Sequence, residues 1–596
     1  MKKMMGSAAA GMNPNLLFQT ILRRCASWGD FAAQLAARTD KEKGDLFEEL
    51  TRACLLLEPG YRTRLAHVWL LREVPHSIRE RLGLPAEDKG IDLVAETKGG
   101  EYWAVQCKYR ADTAHNLTFR EISTFGSLTF GVCRGFSFGL ICSTTERITE
   151  VVAKQENLGL RTLDAWQDLD AEFFREAREL GGKRAPRPTP LAPRPHQKAV
   201  LRDAVAHYVK HKARRGKLIM PCGSGKSLAA YWIAERLGAK RILVAVPSLA
   251  LIRQTLKVWS RESVARGREV DWRCVCSDET AGQGDRDDVS VLRQDLGVPC
   301  LTDVPALAHW LKGARGGRTV VFTTYQSGEV LARAARRASF TFDLAIFDEA
   351  HKTVGARDKL FSHLLSDRNL SARRRLFMTA TERRYQGDSD EVLSMEDPKT
   401  YGETFHQLSF RKALEYKPPI LSDYKILTLF VSREEVADLI RSNAFVRPKC
   451  PRWPREVEAE MLASLIALRK AMAEHPIRHA VNFHGSIRRA ELFKAHNEAY
   501  SRAFPRQGRP AVFHVSGKTP TGTRSAVLKE YAENHKALIT NARCLTEGVD
   551  VPGIDCVLIA DPRRSAVDIV QAVGRALRPA KGNPALVHVG RLVAKT

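Results

Sequence analysis

One octapeptide, Met220-Pro-Cys-Gly-Ser-Gly-Lys226-Ser227, constrains this chain more than any other stretch. It follows the apolar pair Leu218-Ile219 and opens Leu228-Ala-Ala-Tyr-Trp-Ile-Ala-Glu235, which carries a helical pattern. A glycine turn between strand and helix gathers backbone N–H groups at a helix N-terminus, where a polyphosphate can be wrapped. Gly223, Ser224 and Gly225 make the turn. Lys226 then reaches the β- and γ-phosphates, and the Ser227 hydroxyl is offered to Mg²⁺. Met220 stands where the long form of such a loop has its first glycine. Taken alone, the stretch also reads as a turn with a surface lysine.

The segments downstream favour the phosphate loop. Arg241-Ile-Leu-Val-Ala-Val-Pro247-Ser248 and Arg318-Thr-Val-Val-Phe-Thr323-Thr324-Tyr325-Gln326 are apolar runs that end in loops. Phe342-Asp-Leu-Ala-Ile-Phe347 runs directly into Asp348-Glu349-Ala350-His351. An apolar strand ending in two carboxylates is the partner such a loop needs: Asp348 holds Mg²⁺, and Glu349 polarises the water that attacks the γ-phosphate. Arg375-Leu-Phe-Met-Thr379-Ala-Thr381 ends another strand in hydroxyls, which alternatively only cap a helix. Repeated strand–helix alternation predicts an α/β fold with doubly wound parallel sheets and ligand at the strand C-termini.

The first third of the chain has a different pattern. Residues 13–57 read as helical, with a second helix opening at Lys43-Gly-Asp-Leu-Phe47-Glu48. Lys89-Gly90-Ile91-Asp92-Leu93-Val94-Ala95 and Glu101-Tyr-Trp-Ala-Val-Gln106-Cys-Lys108-Tyr109 form a hairpin about Lys98-Gly99-Gly100. Period two places Tyr102, Ala104, Gln106 and Lys108 on one face. Asp92, Gln106 and Lys108 on adjacent strands suit a Mg²⁺-dependent hydrolysis site. There the carboxylate holds the metal and the lysine positions water or neutralises charge, with Glu48 as a further carboxylate. The plainer alternative is an amphipathic hairpin with one polar face.

Gly181-Gly-Lys-Arg-Ala-Pro-Arg-Pro-Thr-Pro-Leu-Ala-Pro-Arg-Pro195 separates the two regions as an extended linker. The net charge of +26, from 94 Lys+Arg against 68 Asp+Glu, is spread along the chain and suits a phosphate backbone. The cysteines are scattered without a paired C-x-x-C, which gives no zinc framework and fits a reducing, cytoplasmic setting. No apolar run approaches a membrane span of about 18 residues.

In kind and order these motifs resemble superfamily 2 helicases over about residues 194–590. Gln197 is similar to their adenine-sensing Q motif, Gly223–Ser227 to motif I, Asp348–His351 to the DEAH motif II and Thr379–Thr381 to motif III. Ala480-Val-Asn-Phe-His-Gly-Ser486 resembles motif IV. Thr540 through Gly548, Asp550 and Pro552 resembles motif V, and Gln571-Ala-Val-Gly-Arg575-Ala-Leu-Arg578 motif VI. The resemblance implies ATP as ligand, Arg575 and Arg578 as arginine fingers, and backbone contacts to nucleic acid at Pro247, Thr323, Thr324 and Thr540. Phe47-Glu48, Gly90-Ile91-Asp92 and Gln106-Cys107-Lys108 resemble the Mrr-type branch of PD-(D/E)xK nucleases, in which glutamine often replaces the acid. Residues 385–425 resemble the lobe junction of type III and single-chain type ISP restriction enzymes. The latter continue into a methyltransferase, and no Asn/Asp-Pro-Pro-Tyr/Phe tetrad occurs here.

The expected organisation is an N-terminal helical segment (1–40), an Mrr-like nuclease domain (41–180), a linker (181–195), a first RecA-like lobe (196–390), an inter-lobe segment (391–430) and a second lobe (431–596). The expected function is an ATP-dependent DNA translocase fused to a Mg²⁺-dependent endonuclease. Double-stranded DNA is its partner, and a methyltransferase or specificity subunit would be encoded separately. Two alternatives stay open: a motor whose N-terminal domain only binds DNA or a partner, and an inactive fragment of a restriction enzyme.

Overall fold

The computed structural model describes residues 14–85, 90–148, 157–180, 186–276, 292–314, 317–356, 360–383, 392–429, 431–432, 434–436, 455–505, 508–517, 519, 521–542, 545, 553–560 and 587–592. Three large sheets organise them, of five, seven and six strands.

The five-stranded sheet runs, in spatial order, Leu65–Leu70, Leu93–Thr97, Tyr102–Lys108, Phe136–Ser143 and Leu158–Arg161. The first three pair antiparallel and the last two join in parallel. Trp103, Val105, Phe138 and Cys142 face the helices Pro14–Leu22, Trp28–Leu35 and Asp40–Leu57, which bury Phe18, Phe31, Phe47 and Leu50 in the same core. The third helix starts at Asp40 rather than Lys43 because Thr39 and Glu42 form a capping box that satisfies its first N–H groups.

The opposite face of Tyr102–Lys108 differs from the one-polar-face alternative. Tyr102, Ala104 and Ile141 pack with Ile122 and Phe125, and Gln106 is only 1% exposed. The strand is central and covered on both sides, so its period of two separates two apolar cores rather than core from solvent.

The seven-stranded sheet is wholly parallel, in the order Val270–Val275, Arg318–Thr324, Arg241–Val246, Leu344–Phe347, Arg375–Thr379, Arg215–Ile219, Glu403–Gln407. Helices cover both faces, which is why its strands read as unbroken apolar runs. The six-stranded sheet is also parallel: Tyr424–Leu429, Val587–Leu592, Cys556–Ile559, His479–Phe483, Ala537–Asn541, Ala511–Val515. Val587–Leu592 is an interior strand, paired on both sides.

The five-stranded unit docks on the edge strand Val270–Val275 of the seven-stranded sheet. Trp272 Nε1 donates to Thr63 Oγ1 at 2.9 Å. The Arg64 guanidinium lies between two indoles, 5.3 Å from the Trp103 ring and 5.4 Å from that of Trp272. The linker is pinned as well: Leu191 N donates to Glu262 Oε1 at 3.1 Å, and Arg266 returns a bond to Leu191 O at 2.8 Å. Among the described residues no helix is long and apolar enough to cross a membrane.

Candidate active sites

Strand Arg215–Ile219 delivers the glycine loop to the N-terminus of helix Lys226–Arg236. Gly223 and Gly225 adopt φ of 82° and 86°, a region that favours glycine. A Cβ on Gly225 would also collide with Gln197 Nε2. That amide donates to Ser224 O at 3.4 Å while its Oε1 accepts from Arg194 N at 2.9 Å. His196 Nε2 lies 3.0 Å from the same Ser224 carbonyl. Gln197 thus touches the phosphate loop directly.

Two strands away, Leu344–Phe347 ends in Asp348 and Glu349, with Arg375–Thr379 between. Lys226 Nζ donates to Met220 O at 3.4 Å and lies 3.9 Å from Glu349 Oε1. Glu349 takes φ 48°, a strained choice for a residue with a Cβ and one that clusters at functional sites. Its N–H donates to Asp348 Oδ1 at 2.9 Å. The Tyr325 hydroxyl donates to Asp348 O at 2.6 Å, fixing the backbone there. His351 Nδ1 stands 3.1 Å from Thr379 Oγ1 and 3.5 Å from Glu349 Oε2. Thr379 Oγ1 in turn donates to Thr381 O at 2.8 Å, so Thr379 ties its strand end to the turn that carries His351.

Burial first, and then the charge of Glu349, push the Asp348 carboxyl up to about 6, against the pull of Lys226. Two buried carboxylates facing one ammonium form a site that a divalent cation would balance. Ser227 is half-buried in the first turn of helix Lys226–Arg236. Arg575, Arg578, Gly548 and Asp550 lie outside the described residues.

The residues assigned to nucleic-acid contact are turned inward. Pro247 is buried, and Ser248 Oγ caps helix Leu249–Ala265. Thr323 Oγ1 donates to Val275 O at 2.9 Å, and Thr324 Oγ1 to Ser327 Oγ at 3.1 Å. Thr540 Oγ1 lies 3.0 Å from His514 Nδ1. Their hydroxyls are committed to these bonds, and the main chain at Thr323 and Thr540 is paired with a strand on either side.

The hairpin brings Asp92 and Gln106 together. Asp92 N donates to Val105 O at 2.9 Å, and its Oδ2 accepts from Cys107 N at 2.5 Å. The Leu93–Val105 pairing next door sets Asp92 opposite Gln106. Gln106 Nε2 donates to Gly90 O at 2.9 Å, while its buried Oε1 has no hydrogen-bond partner. Gly90, at φ 117°, leaves room for this amide, because a Cβ there would come within 3.1 Å of Nε2. A buried acceptor without a donor needs a counterpart, and an oxygen beside a carboxylate suits a hard cation. Glu48 lies on helix Asp40–Leu57. Burial chiefly, and then the charges of Cys142, Asp92 and Glu48, raise the Cys107 thiol. Lys108 is half-buried at the strand end, where its carbonyl accepts from Thr144 N at 3.2 Å. Among the described residues no group of three or more His, Cys, Asp or Glu could hold a metal ion.

Sequence reasoning missed the roles of Tyr325 and of His196. The only signal for them was adjacency to motif residues.

Three family matches cover these parts in order. Residues 56–164 match a restriction endonuclease family of the Mrr type, 190–384 the res subunit of type III restriction enzymes, and 461–580 the helicase conserved C-terminal domain. The type ISP restriction-modification enzyme LlaBIII bound to DNA superposes with a TM-score of 0.76 at 26% identity, over 95% of this chain and 37% of that one. A nuclease-deletion mutant of the type ISP enzyme LlaGI with a DNA substrate mimic aligns at 24% identity and a TM-score of 0.44, over 67% and 27% of the two chains. A probable helicase of African swine fever virus is 26% identical over 372 residues, 61% of this chain and 37% of that protein. The chain therefore carries a restriction-endonuclease-like α/β domain followed by two RecA-like helicase domains, and spans a little over a third of the longer proteins it matches.

Proposed function

We propose that this chain, with its nuclease and helicase domains in the order of a type ISP restriction enzyme, hydrolyses ATP to move along double-stranded DNA and cuts that DNA in restriction or phage defence. The observation that carries the reading is the convergence of Lys226, Asp348 and Glu349 at the C-terminal ends of the same parallel sheet, in one chain with the Asp92–Gln106 pair. At the first site Lys226 neutralises the β/γ-phosphates, and Glu349 takes the proton of the attacking water. By the helicase resemblance Arg575 and Arg578 are assigned as arginine fingers, and Gly548 and Asp550 to the nucleotide. Asp348 and Ser227 would hold Mg²⁺, which when bound screens phosphate charge. At the second site Asp92, Gln106 and Glu48 would hold Mg²⁺, which there makes water a better nucleophile. Lys108 orients that water and offsets the developing negative charge.

The assignment of Pro247, Thr323, Thr324 and Thr540 to the DNA track rests on the helicase resemblance, and the phosphate contacts there fall to the loops next to these strand ends. Contacts to phosphates carry no sequence information, so movement is sequence-independent and weakens with salt.

DNA-stimulated ATPase activity is expected to vanish in Lys226→Ala; a variant with full activity would remove the motor assignment. Mg²⁺-dependent cleavage is expected to be lost in both Asp92→Ala and Lys108→Ala while ATPase activity stays. A second reading, in which the N-terminal domain only binds DNA, is favoured by Gln106 in the acid's place. It predicts no Mg²⁺-dependent cleavage by the wild-type chain.

A further inference from the structure

We propose that the short helix Leu163–Gln167 couples the motor to the nuclease centre, with Thr144 and Glu146 as positioning residues for Lys108. This rests on the nuclease reading of Asp92, Gln106 and Lys108. The helix meets three parts of the molecule at once. Its Asp164 accepts from Arg253 NH1 at 3.0 Å, on helix Leu249–Ala265 of the first lobe. It also packs against helix Thr521–Glu533 of the second lobe. Toward the nuclease, Leu163 N donates to Thr145 O at 3.1 Å and Trp166 Nε1 to Ser143 O at 2.8 Å.

Residues 143–146 leave the strand that lies parallel to Tyr102–Lys108. Thr144 N donates to Lys108 O at 3.2 Å, and Thr144 Oγ1 both donates to Arg110 O at 2.8 Å and accepts from Arg110 N at 2.7 Å. The backbone at Lys108 is therefore held by this loop. Glu146 N donates to Thr113 O at 2.9 Å, and its Oε2 accepts from the Thr523 hydroxyl of the second lobe at 2.8 Å. The Trp166 ring is 4.9 Å from that of Phe47, next to Glu48. The segments that present Lys108 and Glu48 thus both rest on one helix, which the two lobes grip from different sides.

The two grips are unequal. Asp164 is 4% exposed and pairs with a guanidinium, whereas Thr523 and Glu146 share a single bond at half-buried positions. When the lobes shift during an ATPase cycle, the Thr523–Glu146 bond is the contact that gives way. Its loss frees the 144–146 loop and slackens the support of Lys108. Cleavage is then confined to the phase of the cycle in which Thr523 meets Glu146.

The test uses the 596-residue chain and its Thr523→Val, Thr523→Ser and Glu146→Ala variants. Thr523→Val and Glu146→Ala are expected to lower Mg²⁺-dependent cleavage at least about fivefold, with DNA-stimulated ATPase activity within about twofold of wild type. Thr523→Ser, which keeps the hydroxyl, is expected to cut as wild type does. Hydrogen exchange over residues 106–113 and 143–146 is expected to respond to a non-hydrolysable ATP analogue in the wild type and not in Thr523→Val. Wild-type cutting by Thr523→Val, or an equal exchange response in the two chains, overturns the coupling. If the wild type is as silent as Asp92→Ala, the nuclease reading fails, and the exchange response alone decides whether the lobes grip this loop.

Discussion

Asp348 ties the protonation of a single side chain to the stability of the fold. Its carboxyl, raised from 3.8 to about 6 by burial and by Glu349, is harder to ionise folded than unfolded. The ionised form therefore costs the fold stability, absent below the unfolded value and fully felt above about 6. Asp348→Asn is expected to raise stability at neutral pH by roughly 1–3 kcal/mol without Mg²⁺, read by denaturant unfolding, while abolishing ATPase activity. Because the metal needs the carboxylate, kcat/KM for ATP should fall as pH drops through about 6, and saturating Mg²⁺ should move that limb to lower pH. The sequence supplied the pair of carboxylates. It gave no sign that Glu349 takes a left-handed backbone or that Tyr325 holds the Asp348 carbonyl, since both depend on how neighbouring strands meet.

At the scale of the element, the phosphate loop explains its own departure from the long glycine pattern. Met220 is fully buried, donates from its N–H to Thr379 O at 3.0 Å and has no positive φ. It continues the strand pairing, and the turn proper falls to Gly223 and Gly225. Gly225→Ala combines a left-handed φ, costing about 1–2 kcal/mol for a residue with a Cβ, with a collision against Gln197. Nucleotide affinity should drop sharply while the thermal transition moves little, which equilibrium binding and calorimetry would check. The hairpin was legible from its turn and alternation. That both its faces are covered was not, because Ile122 and Phe125 arrive from a helix whose place is set only by packing.

Across the whole molecule, the nuclease domain is fixed to the first lobe by a buried aromatic contact. Trp272 is 2% exposed on an edge strand, and Arg64, held down to about 10 mainly by burial, is sandwiched beside it. Trp272→Ala should cost roughly 3–5 kcal/mol at this junction. Unfolding is expected to split into separate transitions, and the 181–195 linker to become protease-sensitive, with ATPase activity retained. If unfolding stays single and the linker stays resistant, this contact does not hold the domains together.

The sequence by itself determined the local chemistry: a glycine turn before a helix, two carboxylates at the end of an apolar strand, and a hairpin with Gln106 and Lys108 on one face and Asp92 on the neighbouring strand. Those features follow from short-range periodicity and backbone preference, which a few neighbouring residues encode. Only the tertiary structure decided what surrounds them. It left Gln106 Oε1 buried without a donor, turned Thr323, Thr324 and Thr540 inward, and set Leu163–Gln167 against both lobes. Such outcomes depend on contacts between residues hundreds of positions apart, as between Glu146 and Thr523, for which no local pattern exists.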